Sequence, residues 1–362
     1  MSIDVDVKLA RKRFELDLQQ SFGNSGLTGI FGPSGCGKTS LLRCIAGLES
    51  PEGEIVVNGQ IWQSTSSKQW LEPSKRNIAY LFQEARLLPH LSVEDNIRFN
   101  IKLRGLTQPE TLIDKVLDDC GLTDLRRQLP ATISGGQRQR ACLARAMLCE
   151  PELILMDEPL SALDAKSKRN MLRLIQTFKA QSKTPMLYVS HSIDEIAQLA
   201  DQLLIMQDGK AVHLGPALET FSEHGELFEQ EQLASVFEAK ITDSDKENHL
   251  SKATMIDSST TEPVSVWLGE QTLTIGQTVR LRVTARDVSI SLVANTDQSI
   301  LNVIPAMIKS IDQTRDGHSV RIGLSLGSNT LHALITRRSL HKLDLKTGQK
   351  IWAQIKALSI YD

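Results

Sequence analysis

The stretch "GPSGCGKTSLL" (32–42) follows the apolar run "LTGIF" (27–31). Glycines, a lysine and hydroxyl residues therefore stand at the end of a predicted strand, in the spacing G-x-x-x-x-G-K-[ST]. Glycine lets successive backbone N–H groups turn inward and wrap a polyphosphate. A helix predicted from Lys38 points its positive N-terminal end at the same anion. In this pattern Lys38 reaches the β- and γ-phosphates and Thr39 offers its hydroxyl to Mg2+. Gly32, Pro33, Ser34, Gly35, Cys36, Gly37 and Ser40 complete the cradle, Cys36 through its backbone N–H. A merely flexible strand-to-helix turn would have the same composition, so the rest of the chain has to agree.

Two further stretches agree. In "LILMDEP" (153–159) four apolar residues predict a buried strand with two carboxylates at its end. Asp157 suits Mg2+, and Glu158 suits polarising the water that attacks a γ-phosphate. In "ISGGQRQR" (133–140), Ser134, Gly135, Gly136 and Gln137 put a hydroxyl and free amides at a predicted helix N-terminus. Taken singly, the first reads as a strand ending in solvated acids and the second as an ordinary helix cap. Together with the loop at 32–39 they form two phosphate-binding devices and one acidic strand end.

The chain has 362 residues, which favours two domains or more. Its 41 basic and 43 acidic side chains give a formal charge of -2, so composition offers no broad basic face for nucleic acid. No apolar run approaches the ~18–20 residues that cross a bilayer, and "MSIDVDVKLARKRF" lacks the apolar core of a signal peptide. The five cysteines, Cys36, Cys44, Cys120, Cys142 and Cys149, form neither CxxC pairs nor zinc spacings and read as reduced thiols.

Short apolar runs at 54–58, 78–82, 153–156, 186–190 and 203–206 predict strands, and 109–120 and 137–149 predict helices. Their alternation predicts an α/β domain with a largely parallel sheet over 1–235, with a mostly helical subdomain at about 93–150. From about Phe237 period-2 alternation predicts an all-β domain, 236–362. "GQTVRLRVTARDVSI" (from Gly276) is echoed by "GQKIWAQIKALSI" (from Gly348), and "AKITDSD" (from Ala239) by "AMIKSID" (from Ala306). Two copies of a roughly sixty-residue β unit would pack as a double small barrel, OB-like and duplicated. That register puts the polar stretch 244–263 inside the first copy rather than in a linker.

With "LFQEARLLPH" containing Gln83, "SALD" (161–164) and "YVSHS" containing His191, six motifs stand in register. Residues 1–235 resemble the nucleotide-binding domain of ABC (ATP-binding cassette) transporters. The resemblance implies ATP and Mg2+ as cofactors and a head-to-tail homodimer. In it the Gly32 loop of one copy and the Ser134 loop of the other enclose one ATP. It implies Glu158, His191 and Gln83 as the catalytic set, with His191 on the γ-phosphate. Thr39, Gln83 and Asp157 would hold Mg2+, and Asp164 would lie at the dimer seam. Phe14 is the one aromatic near the expected adenine-stacking position. The stretch 83–97 resembles the region that receives a membrane subunit's coupling helix.

In the tail, "SILNVIPAMIKSI" (299–311) and "LHALITRRSLHKLDLKTGQKIWAQIKALSI" (331–360) resemble the Mop, or molbindin, domain, which covers about 297–362. Over its length the chain resembles the ATPase subunits of molybdate importers. That implies a polytopic membrane permease as partner and, indirectly, a molybdate-binding protein outside the membrane. It implies a peripheral seat on the cytoplasmic face of the inner membrane and no nucleic acid. The alternatives are an importer of another small anion or a sugar, or an oxyanion storage or sensing protein. Molybdate or tungstate would bind the tail. Ser299, Asn302, Lys309 and Ser339, with Lys356, have the chemical type of its ligands.

Overall fold

The computed structural model describes residues 2–361 apart from 12–13, 229–232, 257–262, 270–272, 295–296, 315–316 and 328. Residues 257–262 of the polar stretch 244–263 thus lie outside the described residues. The chain divides into two compact units, Met1–Gly215 and Pro216–Asp362.

In the first unit, β1 (Ile3–Ala10) and β2 (Glu15–Phe22) alternate apolar and polar side chains. They form an antiparallel sheet with β4 (Glu52–Val57), β5 (Gln60–Ser64) and β6 (Gln69–Trp70), in the order β2-β1-β4-β5-β6. The strand expected at 54–58 is β4, so it belongs here and not to the parallel sheet. The reason is local. Asn58 and Gly59 both take positive φ (52° and 81°), which closes a tight β4–β5 hairpin. No crossover helix follows it.

The second sheet runs β11-β10-β3-β9-β8-β7. Its strands are β3 (Leu27–Phe31), β7 (Ile78–Leu81), β8 (Leu153–Asp157), β9 (Met186–Val189), β10 (Gln202–Gln207) and β11 (Lys210–Pro216). The β10/β3, β3/β9, β9/β8 and β8/β7 pairs are parallel. Strands β3, β8 and β9 are buried along their whole length, as expected when helices cover a parallel sheet.

Helix α1 (Lys38–Ile45) follows β3. Its C-terminal carbonyls are met by a buried guanidinium: Arg76 donates to Cys44 O (3.1 Å) and Ile45 O (2.7 Å). The same side chain reaches Leu71 O and Trp62 O. A Cβ on Gly47 would lie 2.7 Å from Arg76 Cζ, which leaves glycine as the residue that fits.

Helices α2 (Val93–Leu103), α3 (Glu110–Asp119) and α4 (Gly135–Met147) share an apolar core that includes Ile97, Ile113, Leu117, Ala141 and Leu148. The fully buried Asn96 of α2 clamps the loop before it. It accepts from Leu88 N and donates to Leu88 O, Leu91 O and Ser92 O. Helices α5 (Ala165–Gln181) and α6 (Ile193–Leu199) complete the unit. All five cysteines are free and buried.

The second unit begins with α7 (Ala217–Glu223), where the sequence suggests the first domain continuing to 235. Thr220 and Phe221 of α7 are fully buried, and Glu223 pairs with Lys309 and Thr330 of the same unit. The strands are β12 (Ala234–Asp245), β13 (Leu250–Met255), β14 (Ser265–Leu268), β15 (Thr278–Thr284), β16 (Val288–Ser291), β17 (Asn302–Gln313), β18 (Ser319–Leu326) and β19 (Asn329–Thr336). After α8 (Arg337–Lys342) come β20 (Lys350–Ile355) and β21 (Ser359–Tyr361).

The internal repeat is visible at atomic level. Each long strand carries a bulge at the same place, between Ile241 and Asp243 and between Ile308 and Ser310. Gly276 N donates to Ile241 O and Gly348 N to Ile308 O, both at 2.8 Å. Gln277 Oε1 accepts from Thr274 N just as Gln349 Oε1 accepts from Lys346 N. The two sheets, β14-β13-β12-β15-β21 and β16-β20-β17-β18-β19, exchange their outer strands: β21 pairs β15 and β16 pairs β20. One apolar core lies between them.

Candidate functional site

Strand β3 delivers the loop 32–37 to the start of α1. The loop has the backbone that its glycines permit. Gly35 and Gly37 take φ of 82° and 105°, and a Cβ on Gly32 would lie 2.1 Å from Met206 O. Pro33, Ser34, Gly35 and Thr39 are exposed along the crest, whereas Cys36 and Gly37 are buried and Ser40 is half-buried. Lys38 is only 5% exposed. Its ammonium donates to Gly32 O (2.7 Å) and Pro33 O (2.8 Å), so the cation is held inside the turn. Phe14 packs beside Gly37. With Glu15, Asp208, Lys210 and the loop it lines a cleft of about 390 Å³.

Strand β8 ends in Asp157, which is 8% exposed. Its Oδ1 accepts from the Thr39 hydroxyl at 2.9 Å and its Oδ2 from the Tyr80 hydroxyl at 3.2 Å. Burial raises its carboxyl above the usual value, against the lowering effect of those two hydrogen bonds. Glu158 has φ 45°, an uncommon conformation for a side chain of its size. Its N–H donates to Val189 O at 3.0 Å, and its Oε2 lies 3.3 Å from Nδ1 of the exposed His191. The structure therefore brings Thr39 to Asp157 and Glu158 to His191 across three different strands.

Ser134 caps α4 in a capping box. Gln137 N donates to Ser134 Oγ (3.2 Å) and Ser134 N to Gln137 Oε1 (2.7 Å). The two glycines of this stretch differ. A Cβ on Gly135 would touch only the tip of Arg138, at 3.8 Å, while one on Gly136 would sit 2.9 Å from Ser167 Oγ. Gly136 therefore serves the close approach of α4 to α5, whereas a Cβ on Gly135 would be accommodated. Asp164 caps α5, accepting from Lys166 N and Ser167 N, both 3.0 Å. The Ser167 amide foremost holds its carboxyl below the usual value.

Gln83 is exposed just past β7. Sequence reasoning missed what holds its backbone. The buried Gln139 of α4 donates from Nε2 to Phe82 O (3.1 Å), Gln83 O (3.2 Å) and Pro159 O (2.9 Å). This amide joins the Ser134-capped helix to the Gln83 loop and to the residue after Glu158. Its only sequence signal was a glutamine at a buried helical position.

In the tail, Asn302, Lys309 and Ser339 are each engaged by other groups of the chain. Asn302 and Lys309 stand seven residues apart on β17, a span of about 23 Å at the rise of a strand. The Asn302 amide is spent on Trp267, accepting from its N–H (2.7 Å) and donating to its carbonyl (2.9 Å). The Lys309 ammonium is paired with Glu223 (2.7 Å). Ser339 turns to Thr336, which caps α8. Ser299 is exposed, and the backbone N–H of Lys356 donates to Asp287 O.

A parallel sheet whose strand ends carry a glycine-rich cation loop and a buried carboxylate against its threonine defines a P-loop nucleotide-binding protein. Residues 16–161 match the family model "ABC transporter" and residues 298–360 the "TOBE domain". A molybdenum import ATP-binding protein ModC from Saccharophagus degradans is 38% identical over 95% of this chain and 94% of its own. The protein of the same name from Pseudomonas fluorescens is 37% identical over 99% of both chains. The chain belongs to the ABC transporter family of ATP-binding proteins. An ATP-binding cassette solved as a dimer in a post-hydrolysis state with ADP and Pi shares its fold. That match has a TM-score of 0.52 and 24% identity, and covers 60% of this chain and 99% of the other.

Proposed function

We propose that the chain is the ATP-hydrolysing subunit of a molybdate importer. The observation that carries this reading is likeness along the whole chain, tail included, to proteins named for molybdenum import. Two copies would join head to tail, the Gly32 loop of one facing the Ser134 cap of the other. A separate polytopic permease would carry the anion from a binding protein outside, with this chain peripheral on the cytoplasmic face of the inner membrane. No described helix is long and apolar enough to cross a bilayer.

In the ATP site the loop amides and Lys38 bind phosphate. Glu158 polarises the attacking water, and its left-handed backbone aims the carboxylate toward His191. His191 contacts the γ-phosphate. The oxygen-rich set Thr39, Asp157 and Gln83 fits a hard divalent cation. Mg2+ held there would offset the phosphate charge.

Molybdate or tungstate binding by the tail is part of this reading, through residues other than the paired Lys309 and Asn302. The experiment is uptake of labelled molybdate and sulfate by cells with and without the chain. Molybdate uptake that depends on the chain and is lost in Glu158→Gln is expected. Sulfate uptake in its place would move the chain to another small-anion importer.

A further inference from the structure

Glu195 is a buried carboxylate that the ATP-site roles leave unused. It lies on α6 with its side chain 5% exposed. One oxygen accepts from the Tyr188 hydroxyl (2.7 Å) and the Ser190 hydroxyl (2.6 Å). The other meets the Lys168 ammonium at 2.6 Å. Burying a carboxylate costs several kcal/mol, and apolar residues of like volume often hold a fold equally well. The arrangement therefore calls for a reason beyond stability.

The reason lies in what the three donors belong to. Ser190 and Ser192 flank His191. Ser192 N donates to Ser190 Oγ (3.0 Å), and Ser192 Oγ accepts from Glu195 N (3.5 Å). Ser190 thus returns to the Glu195 carboxylate, and Ser192 to the Glu195 backbone N–H. Tyr188 lies on β9 opposite Met156 of β8, the strand that ends at Asp157, just before Glu158. Lys168 sits on α5 one turn from its cap, and its N–H donates to Asp164 O at 2.8 Å. One carboxylate joins the His191 segment, the catalytic strand pair and the Asp164-capped helix. Burial keeps the Tyr188 phenol far above its usual pKa, so it stays neutral and donates a hydrogen bond to Glu195.

We infer that Glu195 is the positioning residue that holds His191 and the Asp164 helix in one fixed geometry for hydrolysis. The inference rests on the ATPase reading above. The Glu195 oxygens are taken up by Tyr188, Ser190 and Lys168, so removing the carboxylate should spare nucleotide binding and slow the chemical step. Displacing a reacting group by about 1 Å costs about 10²-fold in rate.

The test uses the full chain and its steady-state ATP hydrolysis, with nucleotide affinity and thermal unfolding measured alongside. Glu195→Ala should lower kcat about 10²-fold with KM and ATP affinity within about twofold. Glu195→Gln, which keeps an acceptor for the hydroxyls but offers Lys168 no anion, should recover about tenfold of that loss. Lys168→Met should match Glu195→Gln, and the double variant should be no worse than either, since both remove one interaction. A lowered melting temperature with kcat unchanged would reduce Glu195 to a structural role and overturn the inference. So would an equal rise in KM at constant kcat. If Glu195→Ala does not fold, Ser190→Ala decides: a folded variant with normal kcat overturns it, and a drop of about fivefold or more supports it. Wild-type protein without hydrolysis, or Glu158→Gln with normal turnover, would instead remove the ATPase reading on which the inference stands.

Discussion

The two units use polar side chains in opposite ways. In Met1–Gly215 the polar groups singled out from sequence meet one another: Thr39 meets Asp157, Glu158 meets His191 and Ser134 meets Gln137. In Pro216–Asp362 they meet something else. Asn302 is bound to the Trp267 backbone, Lys309 to Glu223 and Ser339 to a helix cap. A site built on special backbone, with left-handed glycines and helix N-termini, leaves a mark in residue spacing. Ordinary hydroxyls and cations on alternating strands leave none, because any solvated β surface needs them.

The largest test of this contrast is chemical. Glu158→Gln should lose about 10²–10⁴ in turnover while ATP still binds, and Lys38→Ala should weaken nucleotide binding. Phosphate release and nucleotide titration separate the two. Normal turnover by the Gln variant would erase the difference between the units.

The next effect lies in the tail and depends on pH. His332 is buried on β19, and burial pushes its imidazole down to about 4 from an ordinary 6.5. Between those values the unfolded chain binds a proton that the folded tail refuses. Stability is therefore full above pH 6.5 and falls as pH drops toward 4, by up to about 3 kcal/mol. Hydrogen exchange of the β19 amides should accelerate over that window, and His332→Leu should flatten the profile. A profile unchanged by that substitution would refute the assignment.

A smaller effect separates two neighbouring glycines. Gly136→Ala should destabilise the first unit by about 1–3 kcal/mol through its clash with Ser167. Gly135→Ala should leave melting unchanged, because its Cβ would meet only Arg138, at an ordinary contact distance of 3.8 Å. Equal losses would mean that both glycines serve packing.

The smallest effect completes the comparison. Asn302→Ala should cost the tail about 1–2 kcal/mol by leaving the Trp267 backbone unpaired, and calorimetric titration with molybdate should show no more than about a twofold change in affinity. A tenfold loss of affinity would return Asn302 to the ligand set.

Much of the architecture was legible, and the illegible parts have physical causes. The buried strands at 78–82, 153–156, 186–190 and 203–206 stood out because a parallel sheet covered on both faces needs continuous apolar runs. Strand β4 looked the same, since apolarity alone does not tell which sheet receives a strand. The repeat showed through Gly276 and Gly348, where a positive φ (93° and 84°) favours glycine in both copies. Gln139 and Glu195 stayed hidden. Gln139 acts through carbonyls 20 or more residues away and Glu195 through Lys168 of another helix as well as nearby Tyr188 and Ser190, and a buried amide or carboxylate on a helix reads locally as one more polar residue.

The strand exchange in the tail bears on the order of folding. The edge of the first sheet is completed by β21, which is synthesised only after the entire second half. Neither half can close by itself, so the late pairing of β15 with β21 carries a large loop-closure entropy. Such distant pairings slow folding. During synthesis β15 has an open flank until β21 arrives, and for that interval it is exposed to pairing with another nascent chain.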